Sequence, residues 1–285
     1  MSFTTLITAD QLRAAGGGPV VIETSFDLAD TNAGEASWRE GHLPGSLYLH
    51  LERDLSGAKT GANGEFMGRH PLPERAAFAA TLARCGITPR HQVVVLDRQG
   101  GMYAARLWWM LRWMGHAEVA VLDGGVAAWT AAGGALTTNA TPAAAAAAPY
   151  PDRHSLARTV DATALAAQLG RVSLIDARAG ERFRGEVEPL DQAAGHIPGA
   201  LNRFFKENLD PATGRFKPAA QLRAEFNALL GAGSASGVVN QCGSGVTACH
   251  NLLAMEHAGL AGSCLYPGSW SEWSADPSRP VAQGA

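Results

Sequence analysis

Few cysteines, little charge and no long apolar run mark this chain. Its four cysteines, Cys85, Cys242, Cys249 and Cys264, in 285 residues are too few for a disulfide scaffold and read as separate thiols. No two of them lie at the spacing of roughly two to four residues that structural zinc prefers, and no metal or organic cofactor is implied. Charged residues make up only 17% of the chain and the formal net charge is −3. No basic stripe can therefore neutralise phosphates, and nucleic acid drops out as a partner. No stretch approaches about 18 uninterrupted apolar residues, which excludes a membrane-spanning helix. The opening MSFTTLITADQLRAAGG lacks the basic start and apolar core of an export signal, so a cytoplasmic location is expected. What the chain does have is 46% hydrophobic residues, enough core for two domains of roughly 100–150 residues each.

Self-comparison supports that division. His42-Leu43-Pro44-Gly45 recurs as His196-Ile197-Pro198-Gly199, 154 residues later (196 − 42). In the first half, the apolar run Val93-Val94-Val95-Leu96 ends at Asp97, and Trp129 follows 32 residues on (129 − 97). In the second, Val238-Val239 and two polar residues lead to Cys242, and Trp273 follows 31 residues on (273 − 242). A period this long, seen twice, is not a solenoid, whose repeats of roughly 20–50 residues must stack at least three deep. It predicts duplicated domains over 1–138 and 158–285. They would be joined at 139–157 by an Ala/Pro-rich linker, whose alanines are flanked by Pro142, Pro149 and Pro151.

Within each half, short β-rich runs alternate with helical patterns. The first half shows strands at Val20-Val21-Ile22, Val93 to Leu96 and Val119 to Leu122, and helices at 73–85 and 104–114. The second shows strands at Val172 to Ile175, Val238-Val239 and Cys264 to Tyr266, and helices at 219–230 and 247–258. This alternation predicts the α/β class, each half a mostly parallel sheet flanked by helices on both faces. Ligands of such sheets bind beyond the carboxyl ends of the strands, where Asp97 and Cys242 both fall.

Cys242-Gly243-Ser244-Gly245-Val246-Thr247-Ala248-Cys249 joins a buried-type strand to a helix. Two glycines let the backbone curl with its N–H groups converging as a nest for an anion, and the helix start adds its dipole. A sulfur held there is favoured as thiolate, a nucleophile. A lone cysteine is usually a small buried hydrophobe; here the strand–loop–helix setting favours the reactive reading. Cys249 falls on the helix, where packing outweighs a resolving role, and Cys85 and Cys264 default to the core.

At these residues the chain resembles the rhodanese superfamily, and within it the two-domain sulfurtransferases. The resemblance covers nearly the whole chain. It rests on the paired His-x-Pro-Gly turns, the stretch Ala104-Ala105-Arg106-Leu107-Trp108-Trp109-Met110, Leu122-Asp123-Gly124-Gly125 with Trp129, the loop CGSGVTAC, and Gly268-Ser269-Trp270 with Trp273. It implies a catalytic second domain and a first domain with an inactive loop, Asp97 standing where cysteine would be. It also implies a ping-pong reaction. Cys242 attacks the donor's sulfur, carries it as a persulfide held by the amides of Gly243, Ser244, Gly245, Val246 and Thr247, and passes it to a thiol or cyanide. A thiol reductant protein is a further implied partner.

Loop side chains set the donor in that family. Thiosulfate enzymes resemble C-R-K-G-V-T and mercaptopyruvate enzymes C-G-S-G-V-T, so 3-mercaptopyruvate leads here and thiosulfate follows. Ser244 would hydrogen-bond donor or persulfide, or serve the turn alone. Arg182 matches the family's first substrate arginine, whose planar fork suits a carboxylate. Where mercaptopyruvate enzymes continue Glu-Pro-Arg, this chain reads Glu188-Pro189-Leu190; the second arginine is absent there, and Arg184 either replaces it or stays solvated. Asp176 and Arg178 are expected to tie down a turn. His42 with Asp30 resembles an assisting Ser-His-Asp arrangement, although His196 at the duplicate position points to a need of the turn itself. Phe26, Tyr103 and Arg106 resemble residues that close the cleft, while Trp108, Trp109 and Trp113 read as packing. A phosphatase would need arginine in the pattern Cys-x5-Arg, and position 248 is Ala248. The remaining alternative is a non-enzymatic sulfur-binding or regulatory module.

Overall fold

The structure is a computed structural model that describes residues 2–141, 148–231 and 233–284. Most of the alanine tract of the expected linker, at 142–147, lies outside the described residues. The chain forms two compact units, and each draws on both halves of the sequence. One comprises Met1–Ser56, Pro73–Leu156 and Pro211–Arg215; the other comprises Gly57–Leu72, Ala157–Asp210 and Phe216–Ala285.

The first unit holds β1 (Leu6–Ile7), β2 (Val20–Glu23), β3 (Leu47–Tyr48), β4 (Val93–Leu96) and β5 (Val119–Leu122). They form one parallel sheet in the order β1-β5-β4-β2-β3. β4 and β5 are buried at every position, as parallel strands covered on two faces must be. Val94 and Leu96 join Ile7, Leu12, Leu43 and Leu122 in one cluster. Successive strand residues face opposite sides, so the equally buried Val93 and Val95 face the other layer. Truncating one such side chain, as in Leu96→Ala, costs about 2–5 kcal/mol.

The second unit repeats the arrangement with β6 (Arg158–Thr159), β7 (Ser173–Asp176), β8 (Leu201–Asn202), β9 (Val238–Gln241) and β10 (Cys264–Leu265). Their order, β6-β10-β9-β7-β8, is again all parallel. The α/β reading of the sequence therefore holds in both units. The two-residue edge strands β1, β3, β6 and β8 carry no pattern long enough to announce themselves.

Each His-x-Pro-Gly turn is built the same way. Gly45 and Gly199 take φ +76° and +80°, a conformation that glycine adopts without steric cost. His42 Nδ1 lies 2.8 Å from the Trp38 carbonyl and its ring stacks on Trp38 at 4.2 Å. His196 Nδ1 lies 2.8 Å from the Phe183 carbonyl and stacks on Phe183 at 3.8 Å. A histidine at this place thus fastens the turn to the preceding helix in both units.

Candidate active site

β9 delivers Cys242 at its carboxyl end, and the helix Ala248–His257 begins six residues later (248 − 242). Within the intervening loop Gly245 takes φ +76°, and a Cβ there would stand 2.3 Å from the Pro267 carbonyl oxygen, so the position requires glycine. Cys242 is 1% exposed and Ser244 and Val246 are buried with it. Among the described residues, the N–H groups of Gly243, Ser244, Val246 and Thr247 donate to no protein acceptor. A buried donor left in that state costs about 1–3 kcal/mol. An anion among them would recover that cost.

The first unit shows what this type of loop does with an anion. Asp97 follows β4 as Cys242 follows β9. Its carboxylate accepts N–H bonds from Gln99 (2.9 Å), Gly101 (2.8 Å), Tyr103 (2.8 Å) and Ala104 (2.9 Å). The side chain fills its own cradle, and a carboxylate there cannot carry sulfur. The helix Ala104–Trp113 begins seven residues after Asp97 (104 − 97), so this loop is one residue longer than its counterpart.

A second turn grips the Cys242 backbone. Ser269 stands at φ +54°, the left-handed region that side chains avoid. Its Oγ accepts the Cys242 N–H at 3.1 Å and donates to the Tyr266 carbonyl at 2.9 Å. The N–H groups of Trp270 and Ser271 donate to the carbonyls of Cys242 and Gly243, each at 2.9 Å. The first unit has Gly125 at the matching place, with φ +55°. Sequence gave no sign that Ser269 is held this way.

Ser244 Oγ lies 2.8 Å from His70 Nδ1, and the two side chains are buried. The histidine that meets Ser244 is thus His70, while His42 Nδ1 lies against the Trp38 carbonyl of its own turn. Arg182, on the short helix Gly180–Phe183, pairs with Glu188 at 2.7 Å and with Asp191 at 3.1 Å. Arg69 binds the same Asp191 through the other carboxylate oxygen. Burial raises the Asp191 carboxyl above its ordinary range, against the pull of Arg69. Neither Arg69 nor His70 was legible as a site residue, because some 170 positions separate them from the cysteine loop and no motif surrounds them.

The other expected residues take quieter places. Arg184 pairs with Glu186 at 2.7 Å on the surface. Arg178 grips Asp176 at 2.6 Å, donates to the Gly195 carbonyl at 2.7 Å and lies over the Trp270 ring, fastening a turn. Asp30 accepts the Asn32 N–H at 3.0 Å. Tyr103 meets the Phe26 ring edge-on at 5.5 Å, and Arg106 donates to the Leu55 carbonyl at 3.4 Å. Trp108 is buried and donates to the Thr4 carbonyl at 2.9 Å. Cys249 donates from its thiol to the Gly245 carbonyl at 3.4 Å inside the helix packing. Burial pushes the Cys85 thiol up to about 11 and raises that of Cys264, which leaves both unreactive near neutrality. Among the described residues no group of histidine, cysteine and acidic side chains is arranged to hold a metal, and no helix is long and apolar enough to cross a membrane.

Comparison with known proteins identifies the family. The model of the rhodanese-like domain matches residues 8–132 and again 161–276. The chain is 46% identical over its full length, and over the full length of its relative, to a protein of Pseudomonas aeruginosa named "Probable 3-mercaptopyruvate sulfurtransferase". It is 34% identical to a thiosulfate sulfurtransferase of Cricetulus griseus, covering 97% of this chain and 93% of that one. Among solved structures, the 3-mercaptopyruvate sulfurtransferase of Leishmania major superposes with TM-score 0.83 at 26% identity, over 95% of this chain and 74% of that one. The Escherichia coli SseA structure, titled as a 3-mercaptopyruvate sulfotransferase, gives 0.72 at 29% identity, over 94% of this chain and 100% of that one. With two matched copies and full-length relatives, the chain belongs to the rhodanese-like family, among its two-domain sulfurtransferases.

Proposed function

We propose that this sulfurtransferase takes sulfur from 3-mercaptopyruvate and passes it to a thiol or cyanide through a persulfide on Cys242. The observation that carries this reading is the loop after Cys242: buried amides without a protein acceptor, and small neutral side chains at Gly243 and Ser244. The Cys242 thiolate attacks the donor's sulfur. The donor's carbon–sulfur bond breaks, its electron pair leaves on the pyruvate enolate, and the thiol proton ends on that carbon. Cys242 then holds one extra sulfur as an anion among the loop amides, which stabilise it as an oxyanion hole stabilises oxygen. Attack by cyanide or a thiolate on the outer sulfur restores the cysteine. Ser244, fixed by His70, supplies a hydroxyl to the donor's carbonyl or to the persulfide, and Arg182 holds the carboxylate. His42, Asp30, Tyr103 and Arg106 remain candidates for assisting roles. The soluble setting implied by the composition is proposed to be the cytoplasm, and a thiol reductant protein is the proposed physiological acceptor class.

Thiosulfate is the second donor to test, because relatives bearing that name match along nearly the whole chain. Steady-state kcat/KM for the two donors on one preparation, beside Cys242→Ser, decides between them. A higher value for 3-mercaptopyruvate, abolished in the variant, supports the reading; turnover of thiosulfate alone overturns the donor assignment. A protein that turns over neither donor and gains no sulfur is the non-enzymatic module.

A further inference from the structure

In the second unit Ser271 sits on the short helix Ser269–Trp273 and is 3% exposed. Its hydroxyl donates to the Gly268 carbonyl at 3.1 Å, the ordinary back-bond of a helical serine. Two further bonds have no such local reason. The Ser271 backbone N–H donates at 2.9 Å to the carbonyl of Gly243, the residue after Cys242. The same hydroxyl accepts at 3.1 Å the N–H of Arg69, 202 positions away. One buried serine therefore joins the nucleophile loop to the backbone of a distant segment.

That segment carries His70, whose Nδ1 lies 2.8 Å from Ser244 Oγ. The contacts close a ring: from Ser271 to the Arg69 N–H, along the chain to His70, across to Ser244, and back through Gly243 to Ser271. Gly68 lets the segment come this close. It takes φ +95°, and a Cβ there would stand 2.9 Å from the Gly268 carbonyl oxygen and 3.1 Å from Ser271 Oγ, so a side chain would push the segment away.

The first unit supplies the contrast. Gly125 stands there where Ser269 stands here, and two residues on it has Ala127 (125 + 2) in place of Ser271 (269 + 2). The Val126 N–H still reaches the Asp97 carbonyl, at 3.4 Å, as the Trp270 N–H reaches that of Cys242. The turn thus forms without the hydroxyl, which is present only in the unit that has the nucleophile.

We propose that Ser271 is a positioning residue for sulfur transfer. Its hydroxyl sets the register of the His70–Ser244 pair against Cys242, and it acts through that pair rather than on the donor. The proposal rests on the reading in which Ser244, fixed by His70, serves the donor or the persulfide. A misplacement of about 1 Å in such a group can slow a reaction by about 10²-fold, so a loosened anchor is a kinetic lesion.

The test uses the full chain carrying Ser271→Ala, Ser271→Thr, Ser244→Ala, or Ser271→Ala together with Ser244→Ala. Two quantities are read: kcat for transfer from 3-mercaptopyruvate to cyanide, and the rate of Cys242 alkylation by iodoacetamide as a function of pH. Ser271→Ala should lower kcat by about tenfold, less than the roughly 10²-fold expected of Ser244→Ala. Ser271→Thr, which keeps the hydroxyl, should recover most of the rate. The alkylation profile should match wild type, because the loop amides and the Ser271 N–H are untouched. In the Ser244→Ala background, Ser271→Ala should cost no more than about twofold, since the two act through one contact.

A wild-type kcat in Ser271→Ala overturns the proposal while leaving the role of Ser244 standing. It also falls if the tenfold loss persists in the Ser244→Ala background, or if the alkylation profile shifts with the rate, since either marks a general disturbance of the loop. If Ser271→Ala does not fold, Ser271→Gly is read by the same criteria. A wild-type kcat in Ser244→Ala overturns the reading of Ser244, and the proposal with it. Failure of the wild-type enzyme to use 3-mercaptopyruvate overturns the donor reading alone, and the same comparisons made with thiosulfate then decide on Ser271.

Discussion

Ser269 accepts the backbone N–H of Cys242 at 3.1 Å from a left-handed conformation, φ +54°. A serine in that region costs roughly 1–2 kcal/mol relative to glycine, and the first unit avoids the cost with Gly125. The hydroxyl is what the strain secures. Ser269→Ala, which keeps the strain and loses the bond, should lower stability by about 1–2 kcal/mol and slow sulfur transfer. Ser269→Gly should recover the stability without recovering the rate. Thermal unfolding together with initial rates separates the two effects, and a wild-type rate in Ser269→Ala contradicts the role.

Ser244 and His70, 2.8 Å apart, should behave as one unit. Ser244→Ala and His70→Gln are each expected to reduce kcat by about 10²-fold, the lower end of general acid–base contributions. The double variant should lose little more than either alone, since contacting residues are not additive. Independent, multiplicative losses would show that the hydrogen bond is incidental.

The sequence disclosed what depends on local pattern. β4 and β5 lie where their apolar runs predict, and the helix Ala219–Leu230 matches its expected span. The Cys242 loop was legible because strand, glycines and helix are contiguous. Two kinds of feature stayed hidden. Strands of two residues, such as β3 and β8, form by pairing at a sheet edge and leave no periodicity to read. Arg69 and His70 belong to Gly57–Leu72, which packs with the later unit although it lies in the first half of the chain. Their importance comes from long-range packing, and neither residue carries a motif. His42, by contrast, is marked in sequence by its place in a repeated turn, where its Nδ1 lies 2.8 Å from the Trp38 carbonyl.

Asp97 fills the cradle of the first unit and should be a stability residue there. Four amides depend on its carboxylate, and hydrogen bonds to a charged group are worth about 1.5–3 kcal/mol. Asp97→Ala should destabilise the chain by about 3 kcal/mol or more, and Asp97→Asn by less because one acceptor oxygen remains. Denaturant unfolding measures both, and a loss below about 1 kcal/mol for Asp97→Ala contradicts the cradle.

Glu225 makes part of the stability pH-dependent. Burial alone would raise its carboxyl, but hydrogen bonds from Arg203, Lys217 and Gln221 outweigh that and hold it down to about 2. A carboxyl depressed on folding adds stability that is complete above its unfolded value of 4.5 and disappears as pH falls through the folded one. Glu225→Gln should therefore lower Tm at neutral pH, with the deficit shrinking as pH falls from about 4.5 toward 2. A deficit that does not change with pH contradicts the assignment.

The most direct test is the intact mass of the protein, and of its Cys242 peptide, after exposure to 3-mercaptopyruvate and then to cyanide. One added sulfur on Cys242, removed by cyanide and absent from Cys242→Ser, is the predicted result. No added sulfur on Cys242, or the same gain on Cys85, Cys249 or Cys264 in Cys242→Ser, contradicts the account.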